Sequence, residues 1–246
     1  MAKKLCVQFS LHNQSIKFYV KKLLLKLQRL CYTLTMQKNS KYQIVLDYLK
    51  QLYPNPNCEL HFDTAFQLLI AVILSAQCTD SRVNKVTSVL FKDYGTPEQL
   101  ANANVKDIER VIYSCGFYHN KAQNIINCSK DLLQKFNGQV PNSVEELQTL
   151  AGVGQKTANV VYSFWFNGSA IAVDTHVFRV SNRLKIATGK TPLDVEKGLM
   201  KNFDKSEWRD LHYRLVLFGR YHCKAKNPDC ENCGLKDVCN FYKTRT

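Results

Sequence analysis

Apolar residues recur at three- and four-residue spacing along most of the chain, and no run alternates with a period of two, so the chain reads as all-α. Residues 42–52 predict an amphipathic helix ended by Pro54 and Pro56. The run Phe66-Gln67-Leu68-Leu69-Ile70-Ala71-Val72-Ile73-Leu74 is too short to span a bilayer and predicts a buried core helix. A helix over 80–93 stops near Gly95, and Thr96-Pro97-Glu98-Gln99 starts another with proline at its first position. Helices near 105–114 and 119–136 are expected to end at Gly116 and Gly138. Ser143-Val144-Glu145-Glu146 fits a capping box opening a short helix to Leu150. Further helices are expected at 156–166, 175–185, 193–202 and 207–221.

Composition adds one departure from the ordinary. The 34 Lys and Arg against 20 Asp and Glu give +14 over 246 residues, which suits a polyanionic partner. Residues 1–35 carry seven of those bases and no acid, leaving 27 basic against 20 acidic residues, or +7, on the other 211, so the remainder is still basic. Residues 1–35 form a basic extension of undefined role. Lysines interrupt the apolar run at 16–34, which argues against a transmembrane span or a secretory signal. Ten cysteines without an export signal point to a reducing, cytoplasmic setting, nucleoid-associated in a bacterium. Cys6, Cys31, Cys58, Cys78, Cys115 and Cys128 are scattered and read as small buried hydrophobes.

The stretch Leu150-Ala151-Gly152-Val153-Gly154-Gln155-Lys156 sets a glycine hairpin directly before a helix. Gly152 and Gly154 accept positive φ and allow another molecule close to the backbone, and the bare N–H groups of a helix start favour an anion. Two readings stand: a clamp for a nucleic-acid phosphate, or an αα-corner that needs small residues. Eighteen residues after Lys156 comes Asp174, followed by Thr175 and His176. Four cysteines close the chain as C-x6-C-x2-C-x5-C: Cys223, Cys230, Cys233 and Cys239. Thiolates in that pattern suit zinc or an iron–sulfur centre.

The order of these motifs, with Leu74-Ser75-Ala76-Gln77 upstream, closely resembles endonuclease III, the iron–sulfur DNA glycosylase/AP lyase family of base-excision repair. The resemblance runs from about Met36 to near the C-terminus. It implies the helix–hairpin–helix glycosylase fold: a six-helix domain over 58–168, and a discontinuous iron–sulfur domain from 36–57 and 169–246. It also implies a [4Fe–4S] cluster on the four cysteines and damaged double-stranded DNA as partner, with no membrane, the protein acting as a monomer.

By that resemblance Lys156 is the nucleophile that attacks C1′ of the damaged nucleotide, with its pKa lowered by the helix N-terminus and partial desolvation. Its structural alternative is a surface lysine or a phosphate contact. Asp174 is the carboxylate that stabilises the departing base's transition state; in isolation it also reads as a helix N-cap. Gly152, Val153 and Gly154 would touch phosphate, Arg220 would add a basic contact, and His176 would meet the substrate strand or simply occupy a first turn. Gln77 would fill the space left by an everted base, and Phe117 would wedge in from the other side. The alternatives are a polar residue ending a helix and a core aromatic. Ala151 stands where the family commonly has proline, which predicts a slightly less preorganised hairpin. The adenine-mismatch branch lacks a lysine at the Lys156 position. A monofunctional or mismatch-specific glycosylase, or a non-catalytic DNA-binding protein, is the competing class.

Overall fold

A computed structural model of the chain describes residues 41–245; the basic segment 1–35 and the start of the proposed 36–57 piece lie outside them. Twelve α-helices and two 3-10 helices, Lys205–Glu207 and Lys236–Val238, occupy the described residues, which contain no β-strand. Helix α1 covers 41–52, and residues 46–245 form one compact unit. Then follow α2 (Ala65–Ser75), α3 (Asp80–Asp93), α4 (Pro97–Ala101), α5 (Val105–Ile112), α6 (Tyr118–Phe136), α7 (Val144–Leu147) and α8 (Gln155–Trp165). The last four are α9 (Thr175–Leu184), α10 (Pro192–Asn202), α11 (Trp208–Tyr221) and α12 (Asn240–Lys243).

The uninterrupted apolar run makes α2 the central helix. Phe66 and Leu68 through Leu74 are all buried, and α3, α6 and α8 pack around it. Truncating Leu74, which is fully buried, would cost about 2–5 kcal/mol. One apolar core draws on residues from Leu60 to Val161. After it, α9 packs on α10, α11 and α12. Residues 46–54 meet α11: the Tyr48 and Phe218 rings stand edge to face at 6.2 Å, and Arg214 donates to the Tyr53 carbonyl at 3.1 Å. Among the described residues no helix is long and apolar enough to cross a membrane.

Local chemistry sets the ends. Thr96 and Thr191 each form a full capping box before a proline. The Ser143 hydroxyl accepts the Glu146 N–H at 3.2 Å, but donates to the Glu146 carboxylate at 2.8 Å. The expected reciprocal bond to the Ser143 N–H is thus replaced by one to its hydroxyl. Gly138 takes positive φ (+78°) after α6 as expected. Gly116 does not end α5: the helix stops at Ile112, and the left-handed residue of that loop is Phe117, with φ +60°.

Candidate active site and DNA-facing loops

The hairpin between α7 and α8 is shaped from beneath. Leu147, Leu150 and Val153 are buried, and the Val153 N–H closes the turn on the Leu150 carbonyl at 3.2 Å. Gly152 has φ +76°, and a Cβ there would sit 2.8 Å from Asn124 Cβ. The Gly152 position therefore demands glycine for its conformation and for packing. Gly154 is different. Its backbone is extended (φ −91°, ψ 177°), and an added Cβ would meet nothing within 4 Å. Neither strain nor packing calls for glycine at this N-cap position of α8. No side chain caps that N-terminus, so its amides are presented outward. Val153, expected to touch phosphate, packs its side chain into the core and donates its amide to the Leu150 carbonyl within the turn.

Ala151 is more constrained than its sequence suggests. Its N–H, which a proline would lack, donates to Asp131 Oδ2 at 3.0 Å, and Lys135 bridges Asp131 Oδ1 (2.8 Å) and the Thr149 carbonyl (3.2 Å). A side chain from α6 thereby fixes the hairpin where the ring is missing.

Lys156 lies in the first turn of α8 and is exposed. The partial desolvation expected of it is not supplied by the protein alone. One turn on, buried Asn159 ties α8 to the segment that carries Asp174. Its Nδ2 donates to the Ile171 carbonyl at 3.0 Å and to Glu196 Oε1 at 3.1 Å. Residues Ala170 through Val173 are buried, anchoring the segment. Asp174 caps α9 through a single oxygen: Oδ1 accepts the N–H groups of His176 and Val177, both at 2.8 Å. The capping reading is thus met, and it leaves Oδ2 for other work.

Two further groups enter that the sequence did not single out. Asp80, at the start of α3, has its carboxyl raised by burial; Lys156 opposes the rise, Asp174 adds to it and His176 opposes it. His212, buried in α11, is pushed down to about 4 by burial, with Asp174 acting upward and Lys156 downward. Ionisable groups from α3, α8, α9 and α11 therefore share one electrostatic neighbourhood, and Lys156 and Asp174 both act within it. His212 sits on an amphipathic helix among apolar residues, so only the tertiary arrangement reveals it.

His176 is half-buried, its Cβ so close to α11 that a Cβ on Gly219 would lie 2.8 Å away. Its Nδ1 is 3.2 Å from Arg179 Nη2. Arg179 also donates to the Gly219 carbonyl (2.7 Å) and the Cys223 carbonyl (3.1 Å). Arg220, expected to reach DNA, pairs with two carboxylates, Glu59 and, at 2.8 Å, Asp80. Its charge is balanced within the protein.

Gln77 and Phe117 both adopt left-handed backbone, φ +53° and +60°, and both side chains are exposed. Phe117 is 65% exposed, which rules out a role in the core. Their loops adjoin: a Cβ on Gly116 would sit 3.7 Å from the Gln77 carbonyl oxygen.

Cys223, Cys230, Cys233 and Cys239 line one cavity with Leu184, Phe218 and Phe241. Among the described residues no three His, Cys, Asp or Glu side chains converge closely enough for a single metal ion. Arg183 donates to Cys223 Sγ at 3.4 Å and to the Lys224 carbonyl at 2.7 Å, and its guanidinium lies 4.2 Å over the Phe241 ring. Arg245 approaches Cys230 Sγ at 3.8 Å. Of the scattered cysteines, Cys58 and Cys115 are pushed up to about 11 and Cys128 to about 12, in each case chiefly by burial, which keeps all three as neutral thiols.

An uncapped helix behind a glycine hairpin, facing an Asp-capped helix across a cluster of ionisable groups, defines a helix–hairpin–helix protein built around a lysine. The family model described as HhH-GPD superfamily base excision DNA repair protein matches residues 70–205. Endonuclease III of Bacillus subtilis strain 168 is 47% identical over 204 residues, covering 82% of this chain and 93% of the relative. Endonuclease III of Escherichia coli K12 is 43% identical over 206 residues, covering 84% and 97%. A solved structure of a trapped endonuclease III–DNA covalent intermediate, the estranged-adenine complex, aligns with TM-score 0.80 at 49% identity, covering 84% of this chain and 98% of that one. The chain belongs to the endonuclease III family of the HhH-GPD superfamily.

Proposed function

We infer that this chain is a bifunctional DNA glycosylase and AP lyase of base-excision repair, acting on oxidised pyrimidines in duplex DNA. The observation that carries the reading is the position of Lys156, on the first turn of an uncapped helix directly behind a hairpin bare enough for a phosphate. A solved relative at 49% identity is a trapped covalent intermediate with DNA, which supports covalent chemistry at this site.

The base must leave the stack before Lys156 reaches its sugar. The DNA then covers the exposed amine, which attacks as a neutral nucleophile. Its nitrogen bonds to C1′ as the bond from C1′ to the base breaks. Asp174 Oδ1 accepts two backbone N–H groups, which supports a role for its other oxygen in taking up the amine's proton or balancing positive charge on the sugar. The bond from C1′ to the ring oxygen then breaks, that oxygen taking up the proton the amine released, and the resulting iminium acidifies C2′. Loss of a C2′ proton to solvent expels the 3′ phosphate by breaking the C3′–O bond, and water hydrolyses the imine to free Lys156. The product is a strand cut 3′ to the abasic site.

Cys223, Cys230, Cys233 and Cys239 would hold a [4Fe–4S] cluster. Four thiols around one cavity, with guanidinium donors at Cys223 and Cys230, suit a polynuclear centre whose sulfurs bind different irons. The cluster would supply a rigid, redox-quiet scaffold for the loop. We read residues 58–168 and the pair 36–57 with 169–246 as two domains flanking the site, in a monomeric cytoplasmic protein.

Duplexes bearing one oxidised pyrimidine, an abasic site, uracil or adenine opposite oxidised guanine test this directly. Release of the oxidised pyrimidine with β-elimination ends, by a protein absorbing near roughly 400 nm, is the expected result. Base release without cleavage would make the enzyme monofunctional; binding without release would make it a non-catalytic DNA-binding protein.

A further inference from the structure

Helix α6 runs behind all three loops assigned to DNA. Phe117 is its N-cap, Asn124 packs under Gly152, and Asp131 binds the Ala151 amide. Between them lies Lys121, only 5% exposed. Its ammonium donates to the Leu74 carbonyl at 2.9 Å and the Ala76 carbonyl at 2.7 Å. These oxygens belong to the C-terminal end of α2, where carbonyls lack intrahelical partners and a cation is favoured. The next residue is Gln77, in its left-handed conformation. Lys121's own N–H donates to the Phe117 carbonyl at 3.1 Å, so one residue joins both loops. Arg82 reinforces the pairing with a bond to the Ser114 carbonyl at 3.4 Å. Burial depresses the Lys121 amine, and the Cys115 and Cys78 thiols oppose this. A buried ammonium is expensive unless its donors are hydrogen-bonded, and here two carbonyls at the end of α2 meet that need.

We propose that Lys121 is a positioning residue for base eversion: by clamping the end of α2 to the start of α6 it sets the spacing of Gln77 and Phe117, the side chains that enter the vacated stack. The proposal rests on the glycosylase reading above. Lys121 touches no DNA and acts only through these loops.

The test uses the full chain and three variants, Lys121→Met, Lys121→Gln and Lys121→Arg. Eversion is followed in stopped flow by a 2-aminopurine beside the lesion in a duplex, and borohydride trapping is measured in parallel on a single-stranded oligonucleotide with an abasic site, where nothing must be everted. Lys121→Met and Lys121→Gln are expected to slow the fluorescence rise and base release roughly ten- to hundredfold, while trapping on the single strand stays within about twofold of wild type. Lys121→Arg, which keeps a cation with several donors, should recover most of the eversion rate. In a Gln77→Ala, Phe117→Ala background the Lys121→Met effect should largely vanish, because coupled residues are not additive. Eversion at the wild-type rate in either neutral variant overturns the proposal, as does equal loss on the single strand, which marks general structural damage. Should wild type itself trap no abasic site, the lyase reading fails rather than the role of Lys121.

Discussion

Replacing each hairpin glycine by alanine separates what the fold needs from what the ligand needs. At Gly152 the new methyl meets left-handed backbone (φ +76°) and Asn124 Cβ at 2.8 Å. Left-handed backbone alone costs an L-residue roughly 1–2 kcal/mol, and overpacking adds about 1–3 kcal/mol. A domain of this size loses about 2–4 °C per kcal/mol, so a fall of roughly 4–20 °C is expected. At Gly154 the backbone is extended and the methyl meets no atom. Reduced unfolded-state freedom favours alanine by about 0.4–1 kcal/mol, and its poorer N-capping offsets this by a similar amount. The melting temperature of Gly154→Ala should therefore stay within about 3 °C of wild type. Its affinity for an abasic-site duplex should nevertheless drop, because the methyl stands over the amides offered to phosphate. Loss of one charge-assisted hydrogen bond, about 1.5–3 kcal/mol, corresponds to roughly ten- to hundredfold. Calorimetric melting and fluorescence anisotropy at fixed salt provide the two readouts. A Gly154→Ala protein of unchanged affinity would refute the phosphate clamp and leave the αα-corner.

Three other outcomes follow from the site. Asp174→Asn retains a capping oxygen but loses the charge, so base release should fall about 10²–10⁴-fold with little change in melting; Asp174→Ala should lose a further 0.5–2 kcal/mol or so of stability through the cap, measured by denaturant titration. His212 stays neutral when folded down to about pH 4, whereas the unfolded chain takes up that proton below its ordinary value near 6.5. Its contribution is therefore present above pH 6.5 and is lost as pH falls towards 4, by as much as about 3 kcal/mol, and Tm against pH should be flatter by that component in His212→Asn. Burial raises the Glu196 carboxyl, so ionisation at neutral pH works against folding; Glu196→Gln should raise Tm at pH 7 and lose that advantage as pH falls to the ordinary carboxylate range.

Periodicity made the helices legible because most have strong apolar faces and chemically explicit ends. The run 66–74 became α2 within a residue at either end, and Thr96 and Thr191 carry capping chemistry that acts locally. Lys156, Asp174 and the four cysteines stood out as motifs, and the fold brings Lys156 and Asp174 into one field and the cysteines around one cavity. What the sequence concealed depends on distant partners. Gly116 looked like the turn-forming residue, yet the loop places Phe117, a largely exposed aromatic, in the left-handed position. Nothing local to Arg220 reveals Glu59, more than 150 residues away, as its ion-pair partner. Asp80, His212 and Lys121 are unremarkable until separate helices converge on them. Ala151 looked like a loosened hairpin because the compensating carboxylate, Asp131, comes from α6.

The central claim is that Lys156 forms the covalent link to the sugar. Incubating wild-type protein with an oxidised-pyrimidine duplex and borohydride, then mapping the adduct by peptide mass spectrometry, addresses it most directly. The account predicts a stable protein–DNA adduct on the Lys156 peptide, abolished in Lys156→Gln while duplex binding persists. An adduct on another residue, or undiminished strand cleavage by Lys156→Gln, would contradict it.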